Sequence, residues 1–206
     1  DVCSSDLTTD ATSSVLTLEH DLIFNNGVGP TSAGGSGTAQ VNFGGYMMQV
    51  GGITIGANAQ SWDTAHLILN GDVTMSANVT LETTAAYIQG NGFTLTASGG
   101  FLGTVGGTVS DTTFDSFDSG VFGGTGTWNL RNVLLDTGTE ALFVLSGSLT
   151  GGTANVFAGA ATWGASDIEL RKDIGIAGKW ILGGASSIKG NGKTLKFDST
   201  SSIIDY

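Results

Sequence analysis

"YIQGNGFTLTA", residues 87–97, returns one hundred positions later as "SIKGNGKTLKF", residues 187–197. Both keep Ile-x-Gly-Asn-Gly-x-Thr-Leu, and the match continues upstream. There "SWDTAHLILNGDVTMSANVTL" (61–81) aligns with "TWGASDIELRKDIGIAGKWIL" (162–182) at an offset of 101. The shared elements are a Ser/Thr-Trp pair, Leu67/Ile168, Leu69/Leu170, Asp72/Asp173, Val73/Ile174, Val79/Trp180 and Leu81/Leu182. One residue is then dropped, and Ile88/Ile188 to Leu95/Leu195 follow at 100. A weaker echo pairs "LTLEHDLI" (16–23) with "WNLRNVLL" (128–135), the extra spacing matching the insertion-like "GVGPTSAGGSGT" (27–38). The chain therefore reads as about two copies of one ~100-residue unit, and an internal period of this kind points to a stacked repeat architecture.

Within each unit the pattern has period two. In "DIELRKDIGIAGKWIL" (167–182), Ile168 and Leu170 face one way and Asp167 and Glu169 the other, and Ile174 and Ile176 repeat the scheme. Alternation over four or five residues closed by Gly, Asn or Asp marks a short, half-buried strand. A capping residue before Trp-x-x-Ala predicts one helical turn at Ser61 and again at Thr162. At the twin motif Ile188 points inward and Lys189 outward before the chain turns on Gly90-Asn91-Gly92 or Gly190-Asn191-Gly192. Glycine accepts positive φ, and Asn is among the few other residues that tolerate the left-handed region. Leu195 and Phe197 then resume the inward face, while Thr194 and Lys196 look out. Such strands cannot each bury an apolar face alone; stacked as rungs of about 22 residues they can. The expected fold is all-β, a parallel β-helix (β-solenoid) coiled from a single chain of short strands, continuous over 8–206, with both ends truncated.

Composition agrees. Thirty-four glycines are more than twice the usual ~7% share, and only one proline, Pro30, is present. Apolar residues make up 40%, too many for a disordered chain. Residues 1–130 carry eleven acids and no Lys or Arg, whereas 131–206 hold all seven bases and seven acids. A surface without positive charge repels nucleic acid and anionic lipid, so neither is expected as a partner. No run approaches the ~18 apolar residues of a spanning helix, and no membrane insertion is expected in this segment. The opening "DVCSSDL", residues 1–7, back-translates onto the end of a common sequencing adapter and is set aside as an artefact, Cys3 with it. That leaves no disulfide and no Cys-ligated metal. The Gly/Thr-rich, Lys-poor composition fits an exported protein, extracellular or on the cell surface, whose signal peptide is expected in missing upstream sequence.

The run "WILGGASSIKGNGKTLKF" (180–197) resembles rungs of right-handed parallel β-helix proteins of the pectin-lyase-like group, and most nearly the large repetitive β-helix proteins of bacterial surfaces. The resemblance covers 61–102 and 162–204 well and the rest loosely. It implies the right-handed coil, but not an activity, because that fold carries lyases, hydrolases, adhesins and inert spacers alike. Pectate-lyase-like members cluster Asp ligands for calcium with external Arg and Lys. Polygalacturonase-like members carry Asn-Thr-Asp, paired Asp, Gly-His-Gly and Arg-Ile-Lys. None of these strings occurs here, so no residue is carried over as catalytic.

"SDTTFDSFDSG" (110–120) places Asp111, Asp115 and Asp118 close together, the candidates for calcium; the alternative is a solvated acidic loop. His20 and His66, the only histidines, read as outward strand residues. No nucleophile elbow is present, and Asp72, Glu82, Asp167 and Glu169 fall at outward strand or turn positions rather than in an apolar pocket suited to a glycosidase acid. Trp62 and Trp163 are expected to pack at a corner or a solenoid end, and Trp180 in the core. Trp128 is read as core, the alternative being an exposed sugar-stacking platform. The reading that follows is a non-catalytic structural or adhesive segment with no cofactor. Its expected partners are a surface polysaccharide or a host or neighbouring cell surface, with self-association through unpaired rung edges. The rival is a carbohydrate-binding or carbohydrate-active β-helix whose functional residues lie outside this sequence.

Overall fold

In the computed structural model the described residues are 8–9, 15–17, 22–23, 27–28, 31–32, 39–42, 48–50, 53–55, 60–62, 66–75, 79–81, 86–97, 101–103, 106–115, 122–123, 126–150, 156–157, 161–198 and 203–205. Among them the structure is all β, with mostly parallel strands stacked as a β-solenoid of about five turns. β1 (Thr8–Thr9) and β5 (Thr31–Ser32) form a separate parallel two-stranded sheet. The coil begins with β2 (Val15–Thr17), β3 (Leu22–Ile23) and β4 (Gly27–Val28), and continues with β6 (Ala39–Asn42), β7 (Met48–Val50) and β8 (Ile53–Ile55). Next come β9 (Gln60–Trp62), β10 (His66–Leu69) and β11 (Val73–Met75), then β12 (Val79–Leu81), β13 (Ala86–Gln89) and β14 (Thr94–Ala97). β15 (Phe101–Gly103) leads into β16 (Gly106–Asp115), and β17 (Phe122–Gly123) into β18 (Thr127–Asp136).

Each rung lays three segments on three faces. One face is β2-β6-β9-β12-β15-β17; a second climbs through β7, β10 and β13 and a third through β8, β11 and β14. Both of the latter meet the ten-residue β16, one on each half. The first rung is longer, with Val15 beside Gln40 and Leu22 beside Met48, whereas between β6 and β18 equivalent positions recur every 19 to 22 residues, from Trp62 beside Leu81 to Val73 beside Leu95. This spacing is the chain needed for three short strands and three turns. Inward columns follow from the register: Leu67, Ile88, Val109 and Leu130 stack in line, as do Val73, Leu95, Phe114 and Leu135. All eight are at most 3% exposed. Burying each such side chain stabilises the stack by about 1.5–3 kcal/mol, which is how strands of three residues persist.

Beyond β18 the chain does something the alternation did not announce. A turn over Thr137–Glu140 sends β19 (Ala141–Thr150) back antiparallel along the whole of β18. Gly138 sits at φ 90°, its N–H donates to Asp136 Oδ1 at 2.7 Å, and Thr137 N–H donates to Glu140 O at 2.9 Å. Lys172 Nζ clamps the turn through Asp136 Oδ1 (2.7 Å) and Gly138 O (2.9 Å). On its far side β19 pairs, again antiparallel, with β20 (Ala161–Trp163) and β21 (Asp167–Leu170), with Leu145 bulged out of register. β21 thus runs in the direction of β18, and coiling resumes through β22 (Ile174–Ile176), β23 (Lys179–Leu182), β24 (Ser187–Lys189), β25 (Leu195–Phe197) and β26 (Ile203–Asp205). Leu142, Val144 and Leu149 of β19 are buried, and one apolar cluster extends from Leu67 through Val144 to Trp180.

The repeat is structural, strand by strand: β9 to β14 correspond in order to β20 to β25. Leu81 lies beside Trp62 and Leu182 beside Trp163, in the same register. The weaker echo is not structural, since it would lay β2, on the first face, over residues of β18 on the second. Two local expectations are corrected. Ser61 and Thr162 lie in strands β9 and β20, not helical turns, because parallel partners take up their backbone groups. Phe197 is 48% exposed instead of inward, because among the described residues no strand covers β25 on its outer side. Trp163, the last residue of β20 before the turn into β21, is fully buried, its ring centroid 5.8 Å from that of Trp180. Trp180 and Trp128 are core, as read.

Candidate functional site

The polar chemistry concentrates where the second and third faces meet, at the corner built by the twin motif. Asn91 and Asn191 adopt φ of 52° and 50°, and Gly92 and Gly192 follow at 85° and 73°. Closing bonds run from Phe93 N–H to Gly90 O (2.9 Å) and from Lys193 N–H to Gly190 O (2.8 Å). Each Asn side chain reaches down one rung, Asn91 Nδ2 donating to Leu69 O (2.9 Å) and Asn191 Nδ2 to Leu170 O (3.3 Å). Asp72 and Asp173, matched between the copies, do the reverse: each accepts at 2.8 Å from a backbone N–H of the next rung, Thr94 and Thr194. The repeat therefore preserves the residues that tie one rung to the next.

In β16 and β18 the four-residue turn contracts to a single left-handed residue inside a continuous strand, Asp111 and Asn132, each at φ 52°. Asp111 lies over the Gly90–Gly92 turn, its carbonyl oxygen accepting from Gly92 N–H at 2.7 Å, and Asn132 Nδ2 donates to Asp111 Oδ1 at 2.9 Å. That hydrogen bond holds the Asp111 carboxyl below the ordinary carboxylate range; burial, the next largest effect, pulls the other way, and the Arg131 guanidinium at 3.4 Å adds attraction. Asp115 ends β16, in register between Thr96 and Asp136. Asp118, His20 and Glu82 lie outside the described residues, as do the side chains of His66, which opens β10, and Trp62. Among the described residues no group of three His, Cys, Asp or Glu is placed to hold a metal ion.

A further group of charged residues lies on the second copy. Lys189 stands 3.7 Å from Asp167 and 3.6 Å from Glu169, and Arg171 lies 3.0 Å from Glu169 and over the Phe143 ring. A shallow depression of about 200 Å³ is lined by Asp173, Ile174, Gly175, Thr194, Lys196 and Asp198. Lys196 bonds Asp198 at 2.6 Å, which raises the Lys196 pKa, and Gly175 N–H donates to Glu140 Oε1 at 2.7 Å. The acids here are engaged by neighbouring donors: Asp173 by Thr194 N–H, Glu140 by Gly175 N–H and Asp198 by Lys196. Sequence reading passed over Asn132, Glu140 and Lys172. Only Asn132 had an available signal, its 21-residue spacing from Asp111. No protein-family model, curated protein or solved structure matches this chain.

Proposed function

We propose that the chain is a structural or adhesive rod segment of an exported, surface-displayed solenoid, like the large repetitive β-helix proteins of bacterial surfaces that its rungs most nearly resemble. The observation that carries the reading is where the described corner polar groups go. Asp72, Asn91, Asp111, Asn132, Asp173 and Asn191 all take part in bonds between successive rungs. Chemistry at an active site needs polar groups held in readiness for a substrate; here they fasten a stack whose apolar columns share one core. Continuous cores of this type unfold cooperatively and leave proteases few locally open segments.

Two measurements test it. Limited proteolysis should leave 66–198 intact until global unfolding, and a screen of polysaccharides should yield no hydrolysis or elimination product. Turnover of any polysaccharide moves the assignment to the carbohydrate-active alternative. Sequencing the gene around this segment should find an export signal and further hundred-residue units; a cytosolic single-domain gene overturns surface display.

A further inference from the structure

The first copy of the repeat shows what the second copy is shaped to receive. At Gly90 the next rung is in contact: a Cβ there would fall 2.2 Å from Thr112 Oγ1 and 2.4 Å from the Asp111 carbonyl oxygen. The N–H groups of Gly90 and Gly92 donate to Ser110 O (2.8 Å) and Asp111 O (2.7 Å), and Phe93 O accepts from Thr113 N–H at 3.2 Å. At Gly190 the same motif meets only Lys193 O of its own turn, at 3.8 Å, and no described residue accepts from Gly190 or Gly192 N–H. Neither space nor a positive φ requires glycine at 190. Among the described residues β24 pairs with β21 alone and β25 with β22 alone. Ile188 and Leu195 are only partly buried, where Ile88 and Leu95 are fully so.

Charge indicates the occupant. Gln89, Phe93 and Thr96 of the first copy become Lys189, Lys193 and Lys196 in the second. In the first copy Thr96 lies beside Asp115 of β16, a strand with two acids and no base. Lys189 and Lys196 already pair with Asp167, Glu169 and Asp198 of the chain itself, and their remaining donors, with Lys193 beside them, favour an acidic strand over a basic one.

We infer that the outer edge of β24 and β25 is a docking edge for one more parallel rung of the β16 type, acidic and bent at a left-handed Asp or Asn that seats on Gly190. The inference stands on the fold alone and holds whether or not the solenoid is a rod. Asp205, beside Ile181, corresponds in register to Leu102, beside Thr80, so a copy of residues 104–115 joined after Tyr206 supplies such a rung. Backbone hydrogen exchange then reads Gly190 and Gly192. In the extended chain both amides should exchange at least about tenfold more slowly than in the original. Gly190→Ala should abolish that protection while leaving the melting temperature of the unextended chain unchanged, and changing both added Asp residues to Lys should weaken it. Unprotected amides in the extended chain overturn the inference, as does protection that survives Gly190→Ala. If the unextended chain already protects these amides through a concentration-dependent dimer, the occupant is a second copy and the assignment of a β16-type rung is wrong.

Discussion

Asn132 donates its side-chain amide to the carboxylate of Asp111 one rung below, at 2.9 Å, and both residues hold a left-handed backbone. The pair does two jobs with one geometry: it bends two long strands around a corner and pins the bends together. An Ala at 132 would lose the hydrogen bond and still carry the left-handed penalty of about 1–2 kcal/mol. A Gly would lose only the bond. Asn132→Ala is therefore expected to destabilise by about 1–2.5 kcal/mol and Asn132→Gly by less than about 1 kcal/mol in urea unfolding. The reverse order would mean that the bond, not the backbone, governs the corner.

Gly90 and Gly190 look identical in the motif and differ in surroundings. A Cβ at 90 meets the Asp111 carbonyl oxygen and Thr112 Cα within 2.6 Å, backbone that moves only if the next rung moves. Gly90→Ala should cost at least about 1–3 kcal/mol, the range for overpacked sites. Gly190→Ala should stay within about 0.5 kcal/mol, the range for surface changes. Paired thermal melts decide this, and equal effects would remove the steric account.

The columns were legible because Ile, Leu and Val at alternate positions can point only one way in a half-buried strand, and the twin motif fixed how often the corner recurs. Strand direction was not legible. Alternation is the same in parallel and antiparallel ladders, so "ALFVLSGSLT" (141–150) carries nothing in its side chains that says it runs backwards. The available signal was Asp136-Thr137-Gly138, a turn sequence whose Gly takes φ 90° and whose Asp caps the bend. At the corner, the Gly-Asn-Gly chemistry was readable. The single-residue corners at Asp111 and Asn132 were not, because they interrupt no strand and leave "SDTTFD" looking like an acidic loop.

Trp163 and Trp180 pack edge to face in the same core, both with zero exposure, yet only one satisfies its indole N–H. Trp180 Nε1 donates to Val156 O at 2.7 Å, whereas Trp163 Nε1 is buried without a partner among the described residues. Trp180→Phe deletes a made bond and strands a carbonyl; Trp163→Phe deletes an unmet donor. Both lose similar apolar volume, so Trp180→Phe should be the more destabilising by about 1 kcal/mol. Denaturant melts of the two variants check it, and equal losses would imply that Trp163 has a partner after all.

The Asp111 carboxyl sets the acid response of the corner. Its folded pKa lies below the ordinary value of 3.8, chiefly because Asn132 bonds the charged form, with Arg131 adding attraction. A group depressed on folding contributes stability that is fully present above its unfolded pKa and disappears as pH falls through its folded pKa. The loss thus begins near pH 3.8 and completes below it. The carboxylate is 35% exposed, and solvent screening keeps the contribution below about 1 kcal/mol. Asp111→Asn keeps a side chain that tolerates the left-handed backbone and removes the titration. The difference in unfolding free energy between wild type and Asp111→Asn should therefore be constant from pH 7 to 5 and shrink between pH 4 and the folded pKa. Asn132→Ala should raise the Asp111 midpoint, read by carboxyl-carbon NMR, toward 3.8. A difference that grows on acidification would mean that Asp111 is held in its protonated form, and the assignment of Asn132 as donor would fall with it.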